Sequence, residues 1–331
     1  MDTGRLEKIL EDQKPYRLQQ ARRAVFYDFI DDWNEATTLG VDLRKKLNDQ
    51  CSLRIKNKLF FSTDKKAIKA LVEFTDGQKV EAVLMRHEDG RNTVCVSSQV
   101  GCPVGCLFCA TGQMGFKRDL TPGEIIDQVL VFSRFLKNDS DRVTNVVFMG
   151  MGEPFLNYDN AVAALRLLNS SDYFGLGARK LAVSTSGIVP GIEKFSREGW
   201  QINLAVSLHA PDDVLRTKLM PINKAYPIKK VLAAVDGYIA KNNRRVMFEY
   251  LMIKGVNDSV EQAEQLVNIL NKPLYIVNLI KYNQTGSYYP SDSNTISNFM
   301  KILLDAGLTV TQRYSFGHDI NAACGQLATQ Y

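Results

Sequence analysis

Residues 94–112 read VCVSSQVGCPVGCLFCATG. Val94, Val96 and Val100 mark a strand, and the Gly- and Cys-rich stretch after it marks a loop. Downstream, strand-like and helix-like segments alternate. TVCVSSQV (93–100), NVVFMGMG (145–152), KLAVSTSG (180–187), INLAVSLHA (202–210), RVMFEYLMI (245–253) and LYIVNLIKY (274–282) read as strands. TPGEIIDQVLVFSRFLK (121–137) and YDNAVAALRLLN (158–169) read as helices, the first capped by Thr121 with Pro122 at its first position. Six such units predict an α/β fold whose parallel sheet rolls into a partial (β/α)6 barrel. Chemistry in such barrels sits at the C-terminal ends of the strands.

Upstream the texture differs. LQQARRAVFYDFIDDW (18–33) carries apolar residues at helical spacing, and residues 1 to about 50 read as helices. SLRIKNKLFF (52–61), AIKALVEFTDG (67–77) and QKVEAVLM (78–85) read as a small strand-rich segment, with a turn at Thr75-Asp76-Gly77. The expected division is a helical and strand accessory domain over 1–85 and a core over 86–331.

Composition narrows the setting. The chain has 331 residues, 45% hydrophobic and 23% charged, the profile of a globular protein. No apolar run approaches the roughly 18 residues of a membrane span, and the polar start MDTGRLEKILEDQK is not a secretory leader. A cytoplasmic location without membrane association is expected, where thiols stay reduced. The net charge of +5 neither demands nor excludes a nucleic-acid partner. Residues 51–80 hold seven Lys/Arg against three acids, which fits either a solvated face or a phosphate-contacting patch.

Cys102, Cys106 and Cys109 stand in C-x3-C-x2-C spacing directly after the first of the alternating strands. Three thiolates on one loop can each hold one iron of a [4Fe–4S] cube, leaving the fourth iron open. A zinc site and three unrelated thiols are the alternatives. Zinc wants four ligands, and none of His87, His209 and His318 has ligand spacing to the triplet.

This triplet, after the first strand of an α/β barrel, is the signature of the radical S-adenosylmethionine superfamily. Residues 94–125, 146–160, 178–192, 203–223 and 319–327, ending in DINAACGQL, resemble one family within it. That family is the dual-specificity 23S rRNA and tRNA adenine-carbon-2 methyltransferases, with relatives that methylate carbon 8. The resemblance covers nearly the whole chain.

The resemblance implies two cofactors, a [4Fe–4S] cluster on Cys102, Cys106 and Cys109, and S-adenosylmethionine chelated at its open iron. It implies that Gly152 and Glu153 of GMGEP, Ser184, Ser207, Leu208, His209 and Asn283 line the S-adenosylmethionine. By the same resemblance Cys324 carries a methyl group to the base as S-methylcysteine. Cys95 then forms a transient disulfide with Cys324 that frees the product, and Glu81 accepts the adenine proton. Taken singly, GMGEP also reads as a tight turn, SLH as a strand end, and Glu81 as an exposed strand carboxylate.

The implied partners are 23S rRNA, tRNA and a protein reductant of flavodoxin type, acting on a monomer. Phosphate contact is expected from residues 51–80 and from Lys117-Arg118. Residues 1–50 carry nine Lys/Arg against ten acids, so charge does not support RNA binding there. An RNA-binding or assembly factor with a purely structural cluster is the competing class.

Overall fold

The computed structural model describes residues 3–313 and 316–329. Helices α1 (Thr3–Ile9), α2 (Pro15–Phe26) and α3 (Val41–Gln50) precede strands β1 (Lys56–Phe61), β2 (Ala67–Glu73) and β3 (Lys79–Arg86). The chain continues through β4 (Asn92–Val96), β5 (Gln99–Gly101), α4 (Ala110–Gln113), β6 (Phe116–Asp119), α5 (Pro122–Lys137), β7 (Asn145–Phe148) and α6 (Tyr158–Asn169). Then come β8 (Leu181–Thr185), α7 (Val189–Phe195), β9 (Asn203–Ser207), α8 (Asp213–Leu219), α9 (Ile228–Asn242) and β10 (Val246–Met252). Last are α10 (Val260–Leu270), β11 (Tyr275–Lys281), α11 (Ser293–Asp305) and β12 (Thr309–Arg313).

Ten strands form one sheet in the order β1-β2-β3-β4-β7-β8-β9-β10-β11-β12. β1 to β4 pair antiparallel, and every pairing from β4 to β12 is parallel. The sheet is curled. β7 and β12 are five strand spacings apart, about 24 Å if the sheet were flat. Yet Arg313 Nη1 at the end of β12 lies 3.4 Å from Met149 Sδ just after β7. The open barrel inferred from the six alternating units is therefore present, with β12 as a seventh parallel strand. β4 is buried at every position, as befits a strand covered on both faces.

α5 begins with Thr121 Oγ1 accepting the Glu124 N–H while the Glu124 carboxylate accepts the Thr121 N–H, a reciprocal cap with Pro122 behind it. α6 matches the expected 158–169. Two expected elements are shorter. The helix over 18–33 ends at Phe26, because Tyr27 and Asp28 both donate to Arg23 O and Phe29 turns to φ +50°. Asp32 then caps a separate turn over Trp33–Glu35. The strand over 93–100 splits at Ser97, whose N–H and C=O are both taken by the Gln128 side chain of α5, at 2.7 and 2.9 Å. With its backbone satisfied off the ladder, the chain can leave the sheet.

The N-terminal helices dock on the barrel. Phe26 packs edge-on against Tyr173 and Phe174 beyond α6, Tyr173 OH donates to Glu7, and Arg134 of α5 donates to Ile30 O and Leu53 O. β3 pairs antiparallel with β4, so one sheet runs continuously across residues 85 and 86.

Candidate active site

The C-terminal strand ends surround a cleft of about 950 Å³, counted out to its solvent-filled mouth. Its walls include Cys102, Cys106 and Cys109, Gly152 and Glu153 after β7, Ser184 on β8, Ser207 and His209 at the end of β9, and Cys324. Nine residues nominated from sequence thus meet in one space.

The cysteine loop is fixed from three sides. Cys102 N–H donates to Gly115 O, Leu107 N–H to Leu219 O, and Ala110 N–H to Gly325 O. Gly101 has φ +75°, and a Cβ there would stand 1.9 Å from Gly115 O, so only glycine allows the β5–β6 turn to close on the loop. Burial pushes the Cys102 thiol up to about 12 and the Cys106 thiol well above its usual value.

The two glycines of GMGEP serve close backbone approach. A Cβ on Gly150 would meet Val96 O at 2.8 Å, and one on Gly152 would meet Gln99 N at 2.7 Å. Glu153 is 4% exposed. Its carboxylate accepts the Ser186 N–H at 2.6 Å and the Phe155 N–H at 3.0 Å. Burial raises its pKa, opposed by these donors.

His209 sits at φ +59°. Its Nδ1 accepts the Leu251 N–H at 3.1 Å, and its ring meets Phe108 edge-on at 4.9 Å. Burial drops its pKa to about 3, so the imidazole is neutral. Leu208 is fully buried beside the cleft and outside its lining. Arg216 of α8 is 0% exposed. Its guanidinium donates to Ser186 O, Ser207 O, Leu208 O, Tyr226 O and Asn223 Oδ1, tying the ends of β8 and β9 together.

The loop bearing Cys324 is docked on the cysteine loop. Besides Ala110 to Gly325, Thr111 Oγ1 donates to Leu327 O at 2.6 Å, and Asn283 Nδ2 donates to Cys324 O at 3.0 Å. Asn283 thus holds the Cys324 backbone and does not line the cleft, while its Oδ1 has no partner. Cys324 itself is solvent-accessible through the cleft. Cys95 lies behind the wall on β4, its thiol receiving the Met149 N–H, and burial pushes that thiol up to about 12. All six cysteines are free thiols.

Glu81 is 1% exposed on β3. Its carboxylate pairs with Lys69 at 3.0 Å and accepts the Ala328 N–H at 2.9 Å. It is buried under the C-terminal loop, in contrast to the exposed strand carboxylate that its sequence alone allowed. Arg118, expected to contact phosphate, pairs within the fold with Glu124 and Asp76 at 2.8 and 2.6 Å.

Glu249 on β10, Arg313 on β12 and Ser186 after β8 also line the cleft and escaped sequence reading. Glu249 left one signal, as the single charge inside the apolar run VMFEYLMI. Arg313 left none, since TVTQR lacks an apolar face.

Residues 96–267, over half of the chain, match the Radical SAM superfamily. A probable dual-specificity RNA methyltransferase RlmN of Geobacillus thermodenitrificans is 46% identical over 322 residues, 96% of this chain and 88% of that protein. The protein of the same name from Bacillus subtilis is 43% identical over 95% of this chain and 87% of its own length. The chain belongs to the RlmN family of radical SAM proteins. A crystal structure of a radical SAM methyltransferase from Sphaerobacter thermophilus superposes on this RlmN-family chain with a TM-score of 0.95 and 42% identity, covering 100% and 98% of the two chains.

Membership brings the family's cofactors, a [4Fe–4S] cluster and S-adenosylmethionine, and the cleft fits them. Among the described residues no three His, Cys, Asp or Glu side chains are placed to hold a single metal ion. A cube needs wider spacing, because each thiolate takes its own iron, and Cys102, Cys106 and Cys109 surround one end of the cleft. Ser186 Oγ is buried on the cleft wall without a hydrogen-bond partner, and a polar cofactor in the cleft can satisfy such a group.

Proposed function

We propose that this chain methylates carbon 2 of an adenine in 23S rRNA, and in tRNA, with Cys324 as the carrier of the methyl group. The observation that carries the reading is the docking of the Cys324 loop on the cysteine-triplet loop, with all four thiols on one cleft. A buried carboxylate, Glu81, lies beneath the same loop. A structural cluster alone does not require a fourth thiol opening onto its cleft.

When bound, the cluster and S-adenosylmethionine supply a methyl group and a 5′-deoxyadenosyl radical. The chain's own residues hold and release the carbon. Cys102, Cys106 and Cys109 hold the cluster, while Glu153, Ser184, Ser207 and His209 line the remaining space. Cys324 takes the methyl group as S-methylcysteine. Cys95, behind the Met149 backbone, attacks the Cys324 sulfur after the base is bonded, and the resulting disulfide releases the product. Glu81 takes the proton from the adenine carbon. Its hydrogen bond to Ala328 N–H means that residues 327–329 must shift for a base to reach it.

The target is an unpaired adenine, since its carbon 2 must be exposed. A flavodoxin-type protein supplies electrons to a monomer in the cytoplasm. Nucleoside mass spectrometry of RNA from a deletion strain tests the reading. Loss of 2-methyladenosine, restored by the wild-type chain and not by Cys324→Ala, is expected. Restoration by Cys324→Ala overturns it, and an 8-methyladenosine product reassigns the carbon.

A further inference from the structure

The cleft holds a charged pair, Glu249 and Arg313, to which the reading above gives no task. Glu249 is 4% exposed. Its Oε2 accepts from Asn278 Nδ2 at 2.9 Å, and Asn278 Oδ1 in turn accepts from Thr311 Oγ1 at 2.9 Å. This chain of hydrogen bonds crosses β10, β11 and β12 and fixes the carboxylate. The second oxygen, Oε1, is buried without a partner on a residue that lines the cleft. Arg313 lies two residues beyond Thr311, on the same face of β12, and its guanidinium contacts Met149 Sδ. Cys324 lines the same cleft and is held there through its own carbonyl by Asn283.

A buried carboxylate with one oxygen idle is costly unless that oxygen has a use. We propose that Glu249 is the proton acceptor for Cys324 in the first methyl transfer, and that Arg313 steadies the charge this creates. The proposal rests on Cys324 being the methyl carrier. The step balances without a redox agent. The Cys324 S–H bond breaks, and its proton passes to Glu249 Oε1. The sulfur lone pair forms the S–CH3 bond while the methyl–sulfonium bond of S-adenosylmethionine breaks, and S-adenosylhomocysteine leaves.

The need for an acceptor is physical. Although the Cys324 side chain opens onto solvent, desolvation by the surrounding cleft wall raises its thiol above the usual value, Arg313 lowers it, and Glu249 raises it further, so the thiol form prevails at neutral pH. Burial also raises the pKa of Glu249, with Arg313 and Asn278 opposing, which suits a group that must receive and later lose a proton. The titratable and charged groups facing Glu249 are Arg313 from β12, Cys324 from the C-terminal loop, the neutral His209 beyond β9, Glu153 beyond β7 and the thiols of the cysteine loop. β11 contributes the uncharged Asn278.

The test uses the full chain with its cluster rebuilt anaerobically and S-adenosylmethionine labelled in the methyl group. Label at Cys324 is followed by peptide mass spectrometry between pH 6 and 9, with cofactor binding measured by equilibrium dialysis. Glu249→Gln is expected to slow labelling about 100-fold at pH 7 and to recover rate as pH rises, with cofactor affinity and iron content unchanged. Labelling at the wild-type rate overturns the proposal, and so does a loss explained by lost cofactor affinity. If Glu249→Gln does not fold, Glu249→Asp carries the same test, because pulling the carboxylate back by one methylene must slow labelling.

A second readout needs no cofactor. In the cluster-free chain, the pH midpoint for iodoacetamide alkylation of Cys324 should move down in Glu249→Gln and up in Arg313→Gln. No movement in either overturns the proposal. Absence of label at Cys324 in the wild type instead removes the carrier reading on which the proposal stands.

Discussion

Gly101 and His209 show how single positions carry the site. Gly101→Ala places a methyl group 1.9 Å from Gly115 O at φ +75°, so the turn beneath Cys102 must open. This variant is expected to fold yet retain markedly less iron and sulfide per chain, measured after anaerobic reconstitution. His209 is neutral in the fold, with a pKa of about 3 against 6.5 when unfolded. Below pH 6.5 the unfolded chain binds a proton that the folded chain refuses. Its stability contribution is therefore complete above pH 6.5 and lost as pH falls towards 3, by about 2 kcal/mol at pH 5. His209→Asn keeps an acceptor for the Leu251 N–H and tolerates φ +59°. Denaturant midpoints of this variant should lose that part of the acid sensitivity. The cysteine triplet was legible from its spacing, and Glu153 and the strand-end residues from the family resemblance, supported by their common place at the ends of successive strands. Glu249 and Arg313 were not, since their meeting depends on which face of β10 and β12 turns inward, and β12 shows no strand pattern.

At the scale of elements, the legible pieces are those whose ends carry local signals. α5 has its Thr121–Glu124 cap, and the β2–β3 turn has its Asp76-Gly77. The illegible ends are set by distant partners. β4 stops because Gln128, some thirty residues away on α5, satisfies both backbone groups of Ser97. Gln128→Ala leaves two buried groups unpaired, at about 1–3 kcal/mol each. It is expected to lower Tm by several degrees in thermal unfolding, with Gln128→Glu rescuing at most the Ser97 N–H. A similar dependence explains why α2 ends at Phe26. The helical spacing continues in the sequence, but Phe26 is needed against Tyr173 and Phe174 and Trp33 against the Cys51 carbonyl, and no straight helix serves both.

For the whole molecule, the curl of the sheet brings β12 back to β7 and makes a cleft from residues spread over most of the chain. The basic stretch 51–80 is partly spent on internal pairs. Lys56 and Lys79 meet Glu73, Lys66 meets Glu88, and Lys69 is buried against Glu81. Arg54, Lys58 and Lys65 make no ion pair among the described residues, which leaves them free to meet phosphates. Lys58→Ala with Lys65→Ala should flatten the slope of log affinity for RNA against log salt by up to about two in filter binding. An unchanged slope assigns the contact elsewhere.

The docking of residues 322–328 on the cysteine loop has a consequence for the order in which the protein matures. Those residues are synthesised after everything they cover, so the iron site stands open until they have emerged. A chain ended at residue 320 should take up iron and sulfide faster than the full chain, and bleach faster once oxygen is admitted.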